Sequence, residues 1–315
     1  MNIFIDGQYG TTGLQLEQRL RNRRDVNLIS IDPDLRKNEE ERGKVIRQAD
    51  VVFLCLPDDA ARQAAVMASP ETLVIDASTA HRTHPDWAYG LPEISAAHRA
   101  RLASIKRIAV PGCHACGFIS MIYPLIANKI LDSSAQLHCT SLTGYSGGGL
   151  ALINTHETDR IRGDKLQAPR PYAMGLTHKH LPEMKAITGL AAPPVFMPVV
   201  GDIAQGMLVT VPLWLSQCAK PVTRAQIHQT LAAHYEGSAF IRVMPLEWED
   251  YADSGFIDPT ACNGTNRMDI FVFGHDEQII LSARLDNLGK GASGAAVQCM
   301  NIACGLDEKL GLLEE

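Results

Sequence analysis

Asn2-Ile3-Phe4-Ile5-Asp6-Gly7-Gln8-Tyr9-Gly10-Thr11-Thr12-Gly13 stands at the head of the sequence and decides how the first half is read. Asn2 to Asp6 is a short apolar run of strand type. Leu14, Leu16 and Leu20 then recur at helical spacing, so Leu14 to Asn22 reads as a helix. Between them lies Gly7-x-x-Gly10-x-x-Gly13. Glycines there permit a tight turn and let the backbone approach a pyrophosphate, which would sit at the helix N-terminus. A flavodoxin-like sheet holding a phosphate, or nothing, is the alternative. Val26 to Ile31 reads as a second strand ending at Asp32. An acidic residue at about that distance from the glycines often binds an adenosine ribose.

The same alternation continues. Val51 to Leu56 is an unbroken apolar strand, as expected inside a parallel sheet. Pro57-Asp58-Asp59 follows, and Asp58 or Asp59 is expected to cap a helix from Ala60 to Ala68. Leu73 to Ile75 and Ile105 to Val110 are further strands, the first running into Asp76-Ala77-Ser78-Thr79. Repeated strand–helix units predict a doubly wound α/β domain.

Pro111-Gly112-Cys113-His114-Ala115-Cys116-Gly117 ends the last of these strands and precedes an amphipathic run from Phe118 to Leu131. Cys113 therefore falls near a helix start. Unpaired backbone N–H groups and the positive end of the helix dipole favour the thiolate there. The same N–H groups can hold an oxyanion on a carbonyl that the sulfur attacks. A buried inert thiol is the plainer reading. The Cys113/Cys116 spacing also suits a metal or redox pair. Cysteines 55, 139, 218, 262, 299 and 304 form no second such pair, however, and no metal is expected.

Beyond residue 131 the texture changes. Gln136 to Thr143, Val195 to Val200, Gly206 to Leu215, Phe240 to Val243, Met268 to Gly274 and Gln278 to Leu285 read as strands, and Thr223 to Glu236 as a helix. Short turns between strands predict antiparallel pairing and an α+β domain. Gly144-Tyr145-Ser146-Gly147-Gly148-Gly149 is either a flexible turn or a loop whose N–H groups approach an anion. His178 and His180 flank Lys179, two apart, which is not the zinc spacing of a helix. Lys290-Gly291-Ala292-Ser293-Gly294 starts a helix of small residues from Ala295 to Gly305, expected to return to the first domain.

With 315 residues, 46% of them hydrophobic and 20% charged, the chain suits a globular protein of about two domains. A net charge of −6 argues against a nucleic-acid surface. No apolar run reaches membrane-spanning length. The early strand leaves no charged segment of signal type. Eight unclustered cysteines read as thiols of an intracellular protein.

Together these motifs resemble N-acetyl-γ-glutamyl-phosphate reductase in its shorter form, over nearly the whole chain. The resemblance rests on Gly7, Gly10 and Gly13; Val52-Phe53-Leu54-Cys55-Leu56-Pro57; Asp76-Ala77-Ser78-Thr79-Ala80-His81-Arg82; and Tyr89-Gly90-Leu91-Pro92-Glu93. It continues through Pro111-Gly112-Cys113, Gly144 to Gly149, His180-Leu181-Pro182-Glu183 and Lys290 to Gly294. It implies a Rossmann-like NADP-binding domain over residues 1–112, completed by 286–315, and a catalytic and oligomerisation α+β domain over 113–285 like that of glyceraldehyde-phosphate dehydrogenase. The implied catalytic residues are Cys113 as nucleophile and His180 as acid/base. Cofactor contacts are expected from Gly7, Gly10, Thr11, Thr12, Gly13, Ser30, Arg36, Pro57 and Ser78. Substrate contacts are expected from Arg82, Ser146, Gly147 and Gly148.

The implied activity is NADPH-dependent reduction of an acyl phosphate to a semialdehyde in arginine biosynthesis. The expected setting is a cytoplasmic homodimer or homotetramer that binds neither nucleic acid nor membrane. The alternatives are an aspartate-semialdehyde dehydrogenase or a dinucleotide sensor without turnover. The chain departs from the family in two places. His114-Ala115-Cys116 replaces the usual Tyr-Pro-Thr, and the second thiol could close a reversible disulfide onto Cys113. Asp32 is the residue type that favours NAD, and Arg36 and Lys37 just beyond it offset its charge.

Overall fold

A computed structural model describes residues 1–158 and 165–313. The chain divides into two units, Met1–Gly112 with Ala292–Leu312, and Cys113–Gly291 with Leu313–Glu315.

In the first unit the elements are β1 (Asn2–Asp6), α1 (Thr11–Leu20), β2 (Asn27–Ile29), α2 (Glu39–Gln48) and β3 (Val51–Leu54). They continue as α3 (Asp58–Met67), β4 (Leu73–Asp76), β5 (Ala88–Tyr89), α4 (Ala96–Ser104) and β6 (Arg107–Ala109). The described strands form a parallel sheet in the order β2-β1-β3-β4-β6-β5. Phe4, Val52, Leu54 and Val74 fill a core closed by Ile46, Ala61 and Ala64 from the helices. The C-terminal helix Gly294–Ala303 packs on α4 and β4, as expected. Arg23 ties to it through Asn301 Oδ1 at 2.7 Å, and Gln298 Nε2 reaches Glu93 at 2.9 Å.

Several boundaries differ from the sequence reading for local reasons. Helix α1 begins at Thr11, not Leu14, because Gly10 has the extended conformation of an N-cap and its carbonyl accepts the Leu14 N–H. Periodicity registers apolar residues and misses polar first turns. Helix α3 has Pro57 as N-cap with no side-chain cap. Asp58 is turned instead to the Thr79 N–H, at 3.0 Å, and to its hydroxyl. The outer strand β2 stops at Ile29, and from Ser30 on the chain is largely exposed. A buried ion pair was not visible in the sequence at all. Arg42 meets Asp6 at 2.7 Å at the end of β1. Burial pushes the Asp6 carboxyl up, and the Arg42 guanidinium pulls it only part of the way back.

The second unit contains α5 (Cys113–Ala127), β7 (His138–Gly144), α6 (Gly149–Glu157), β8 (Arg170–Pro171), α7 (Leu181–Thr188), β9 (Val195–Gly201) and β10 (Met207–Trp214). Then come α8 (Arg224–His234), β11 (Ile241–Val243), β12 (Met268–Gly274) and β13 (Gln278–Leu285). The described strands form a mixed sheet in the order β11-β12-β13-β10-β7-β9-β8. Strands β12 and β13 pair antiparallel across their short turn, as expected, while β7 and β9 are parallel. Helix α5 presses on β10 and β13 at Gly117, where an added Cβ would lie 2.7 Å from Val209 Cγ2. Among the described residues, no helix is long and apolar enough to cross a membrane.

Candidate active site

Helix α5 begins at Cys113, with Pro111-Gly112 immediately before it. The thiol therefore sits in the first turn, where helix N–H groups lack intrahelical acceptors. Cys113 is half-buried, and the next residue, His114, is fully enclosed. From the other direction comes α7. His180 is its N-cap, Pro182 occupies the first turn, and the buried Glu183 stands in that same turn. Helices α5 and α7 pack together. As a result Cys113 Sγ and one ring nitrogen each of His114 and His180 all lie within 4.8 Å of one another.

Around this cluster the rings are crowded. His178 lies 4.7 Å from His180 between centroids, and both it and His114 stand edge-on to Phe196, at 5.1 and 5.2 Å. His178 Nδ1 accepts the His180 backbone N–H at 3.1 Å, so His178 braces the turn that carries His180. His114 Nδ1 meets Ser141 Oγ at 2.7 Å, and its Nε2 meets the Tyr172 hydroxyl at 3.0 Å. Burial, helped by His178 and the Lys179 charge, pushes the His114 pKa down to about 3, so the ring is neutral. Tyr172 is 36% exposed, yet its hydroxyl end faces inward. Burial and the nearby Cys113 push its pKa up, so it stays a phenol. His114, Tyr172 and Ser141 were not singled out in the sequence as site residues. The one available signal was that His114 follows Cys113 in the first turn of a helix.

Gly291 accounts for one motif that composition could not explain. A Cβ built on it would stand 2.8 Å from Cys113 Cβ and 3.1 Å from the Asp286 carbonyl. Only glycine lets the π turn Gly289–Ser293 run against the first residue of α5. Gly291→Ala must therefore displace Cys113 by some tenths of an ångström. The expected result is a loss of about 10- to 100-fold in kcat with a modest drop in Tm. Unchanged turnover would show that the position of Cys113 is not critical. Cys116 lies one turn on, fully buried, with its thiol donating to the Lys290 carbonyl at 3.6 Å. No described cysteine is in a disulfide.

The expected cofactor residues belong to the first unit. Gly7 closes β1 with φ +94°, and its missing Cβ would sit 2.3 Å from the Cys55 carbonyl. Gly13, inside α1, must be glycine because a side chain there would strike the Gly7 carbonyl. The helices after β1 and β2 lead to opposite sides of β1, so the Gly7 turn and the Cys55-Leu56-Pro57 end of β3 flank a topological switch point. Thr11 Oγ1, in the first turn of α1, is a buried hydroxyl without a hydrogen-bond partner among the described residues. These features fit a dinucleotide pyrophosphate at that turn. Thr12 follows in the same first turn, and Ser30 is exposed just past β2. Arg36 lies over the Tyr9 ring of the glycine turn at 5.5 Å, while Asp32 accepts the Asp34 N–H.

Other expected residues have structural partners. The Ser78 hydroxyl bonds to Asp76, which also meets His81 Nδ1 at 2.6 Å, with His81 stacked on Trp87. Arg82 directs Nε at the Val110 carbonyl and Nη2 at that of Ala77. Tyr145 to Gly148 is a 3-10 turn running into α6, not an open loop. The N–H groups of Tyr145, Ser146 and Gly149 go to backbone carbonyls, and Ser146 Oγ accepts from Asn287.

Fold and site together define a class. The semialdehyde dehydrogenase NAD binding domain matches residues 32–102, and the semialdehyde dehydrogenase dimerisation domain matches residues 113–287. Two solved aspartate-semialdehyde dehydrogenases share the fold. That from Francisella tularensis has TM-score 0.73 and 14% identity, covering 96% of this chain and 99% of its own. Enzyme II from Vibrio cholerae, complexed with ASA, has 0.70 and 16%, covering 96% and 98%. Higher identity lies elsewhere. N-acetyl-gamma-glutamyl-phosphate reductase 2 of Nostoc is 46% identical over 98% of both chains. The enzyme of the same name from Pseudomonas putida is 41% identical over 96% of both, and the reductase of Brucella ovis is 43% identical over 96% of this chain. Within the semialdehyde dehydrogenases, the chain belongs to the N-acetyl-γ-glutamyl-phosphate reductase family.

Proposed function

We propose that the chain reduces N-acetyl-γ-glutamyl phosphate to N-acetylglutamate semialdehyde, with NADPH as reductant and release of phosphate. The observation that carries this reading is the meeting of Cys113 Sγ and a His180 ring nitrogen within 4.8 Å at a helix N-terminus. In the proposed reaction the Cys113 thiolate attacks the acyl carbon, and phosphate leaves with the electrons of the broken C–O bond, giving a thioester. When bound, the reduced dinucleotide supplies the hydride for that carbon. His180 protonates the oxyanion there and takes the proton back as the C–S bond breaks, so the aldehyde departs and the thiolate returns. The first-turn N–H groups of α5 stabilise the oxyanion. Gly7, Gly10, Thr11, Thr12 and Gly13 would hold the pyrophosphate, with Pro57 beside them. The test follows NADP reduction by N-acetylglutamate semialdehyde in the presence of phosphate. Turnover only with aspartate semialdehyde would overturn the substrate.

Arg36 is assigned to the 2′-phosphate because it stands over Tyr9 of the glycine turn. Losing a charge-assisted contact costs about 1.5–3 kcal/mol. Arg36→Ala should therefore lower kcat/KM with NADPH by about tenfold or more and leave NADH nearly untouched. An unchanged ratio would move the contact to Lys37 or elsewhere.

The proposed assembly is a cytoplasmic homodimer or homotetramer built on one face of the mixed sheet. Helix α5 covers the face of Val209 and Ala283. By strand register, Val195, Met197, Trp214 and Ile280 share the opposite face, and each is exposed. An apolar face of that kind on a sheet marks an interaction surface. Trp214→Glu with Ile280→Glu should shift the particle to monomer mass in light scattering. An unchanged mass would place the interface elsewhere.

A further inference from the structure

We propose that Cys113, His114 and His180 form a binding site for a zinc-class divalent cation, and that its occupancy shuts the enzyme off. One sulfur and two imidazole nitrogens are the donor set that zinc prefers, and three protein ligands leave a fourth position open. The three atoms already lie within 4.8 Å of one another. Tetrahedral coordination at bond lengths of about 2.0–2.3 Å brings such donors to roughly 3.5 Å apart. Closing the gap takes little more than an ångström of side-chain movement.

His114 is built for the part. Its ring is enclosed, with Nδ1 held by Ser141 Oγ at 2.7 Å. In the tautomer whose Nδ1–H donates to Ser141, Nε2 carries the lone pair and meets the Tyr172 hydroxyl. A metal would take that hydroxyl's place. Ligating histidines are usually oriented in this way, by a hydrogen bond at the other nitrogen. Phe196 against His114 supplies an apolar wall, and the half-buried Cys113 leaves the site open to solvent. Binding would release the thiol proton to water and tie the sulfur lone pair to the metal. Hard, oxygen-seeking cations such as magnesium gain little from one sulfur and two imidazole nitrogens.

The site itself stands on geometry, while the inhibition rests on reading Cys113 as the nucleophile. Cobalt(II), titrated into the metal-free full chain, should saturate at one ion with a thiolate-to-cobalt charge-transfer band. Zinc should displace it, and a large excess of magnesium should not. Iodoacetamide treatment of the folded wild type should remove the band. His114→Asn and His180→Asn, each checked for folding by circular dichroism, should weaken binding about tenfold or more. Absence of the band, or a band indifferent to alkylation, would overturn the site. A band indifferent to both histidine changes would do the same. In the phosphate-dependent assay zinc should inhibit and a chelator should restore activity. Cobalt bound through Cys113 with turnover intact would leave the site standing and sink the nucleophile assignment.

Discussion

Cys113→Ala is expected to remove acyl-phosphate reduction, with a fall of roughly 10⁴-fold or more, because the proposed thioester can no longer form at that position. The neighbouring thiol is the internal control. Cys116 is fully buried and bonded to the Lys290 carbonyl, so Cys116→Ala should keep most activity and lose a little stability. Iodoacetamide should label Cys113 first near neutral pH, since Cys113 is the half-buried member of the pair. An acyl-phosphate substrate should protect it. Fast labelling of Cys116, with its loss proving fatal, would reassign the nucleophile. If Cys113 were shut off by a disulfide to Cys116, Cys116→Ala would gain resistance to oxidants.

His180→Asn should lower kcat by roughly 10²–10⁴ while dinucleotide affinity stays near normal. His178→Asn should be milder. The geometry supports that order, since the ligand atoms clustered within 4.8 Å belong to Cys113, His114 and His180, whereas His178 holds the His180 backbone. Removing the brace should loosen the turn without removing the proposed proton carrier. Equal losses in the two variants, or a greater loss at position 178, would reverse the assignment. His114 should not substitute as the acid/base, because its burial keeps it neutral far below physiological pH.

Strands β12 and β13 were legible to the residue, since two strand-type runs flank one short turn between Gly274 and Gln278. The inner strands of the parallel sheet were legible in kind though not in their bounds, because a strand buried on both faces, such as Val51–Leu54, has an unbroken apolar sequence, whereas the two-residue β5 gave no such run. Helix starts were less so, because polar first turns such as Thr11-Thr12 carry no hydrophobic signal. Cys113 and His180 could be picked out singly, but their meeting depends on α5 packing against α7, a long-range contact that no local pattern encodes. The same holds for the Asp6–Arg42 pair and for the partners of His114. Gly291 looked like a generic small residue until its missing side chain was set against Cys113.

The first unit is discontinuous, and this bears on the order of synthesis. Residues 1–112 leave the ribosome without the strip 292–312 that belongs with them. Arg19 then lacks Ser293, Arg23 lacks Asn301, and Arg99 lacks Glu308. About 180 further residues must be translated before those bonds can form, which takes roughly 10–40 s at ordinary elongation rates. Nearly all of the second unit is encoded in that interval. The nascent chain can therefore finish its later-made half before its earlier-made one, and the early parallel sheet, its described strands already made, waits for the last helix to pack on it.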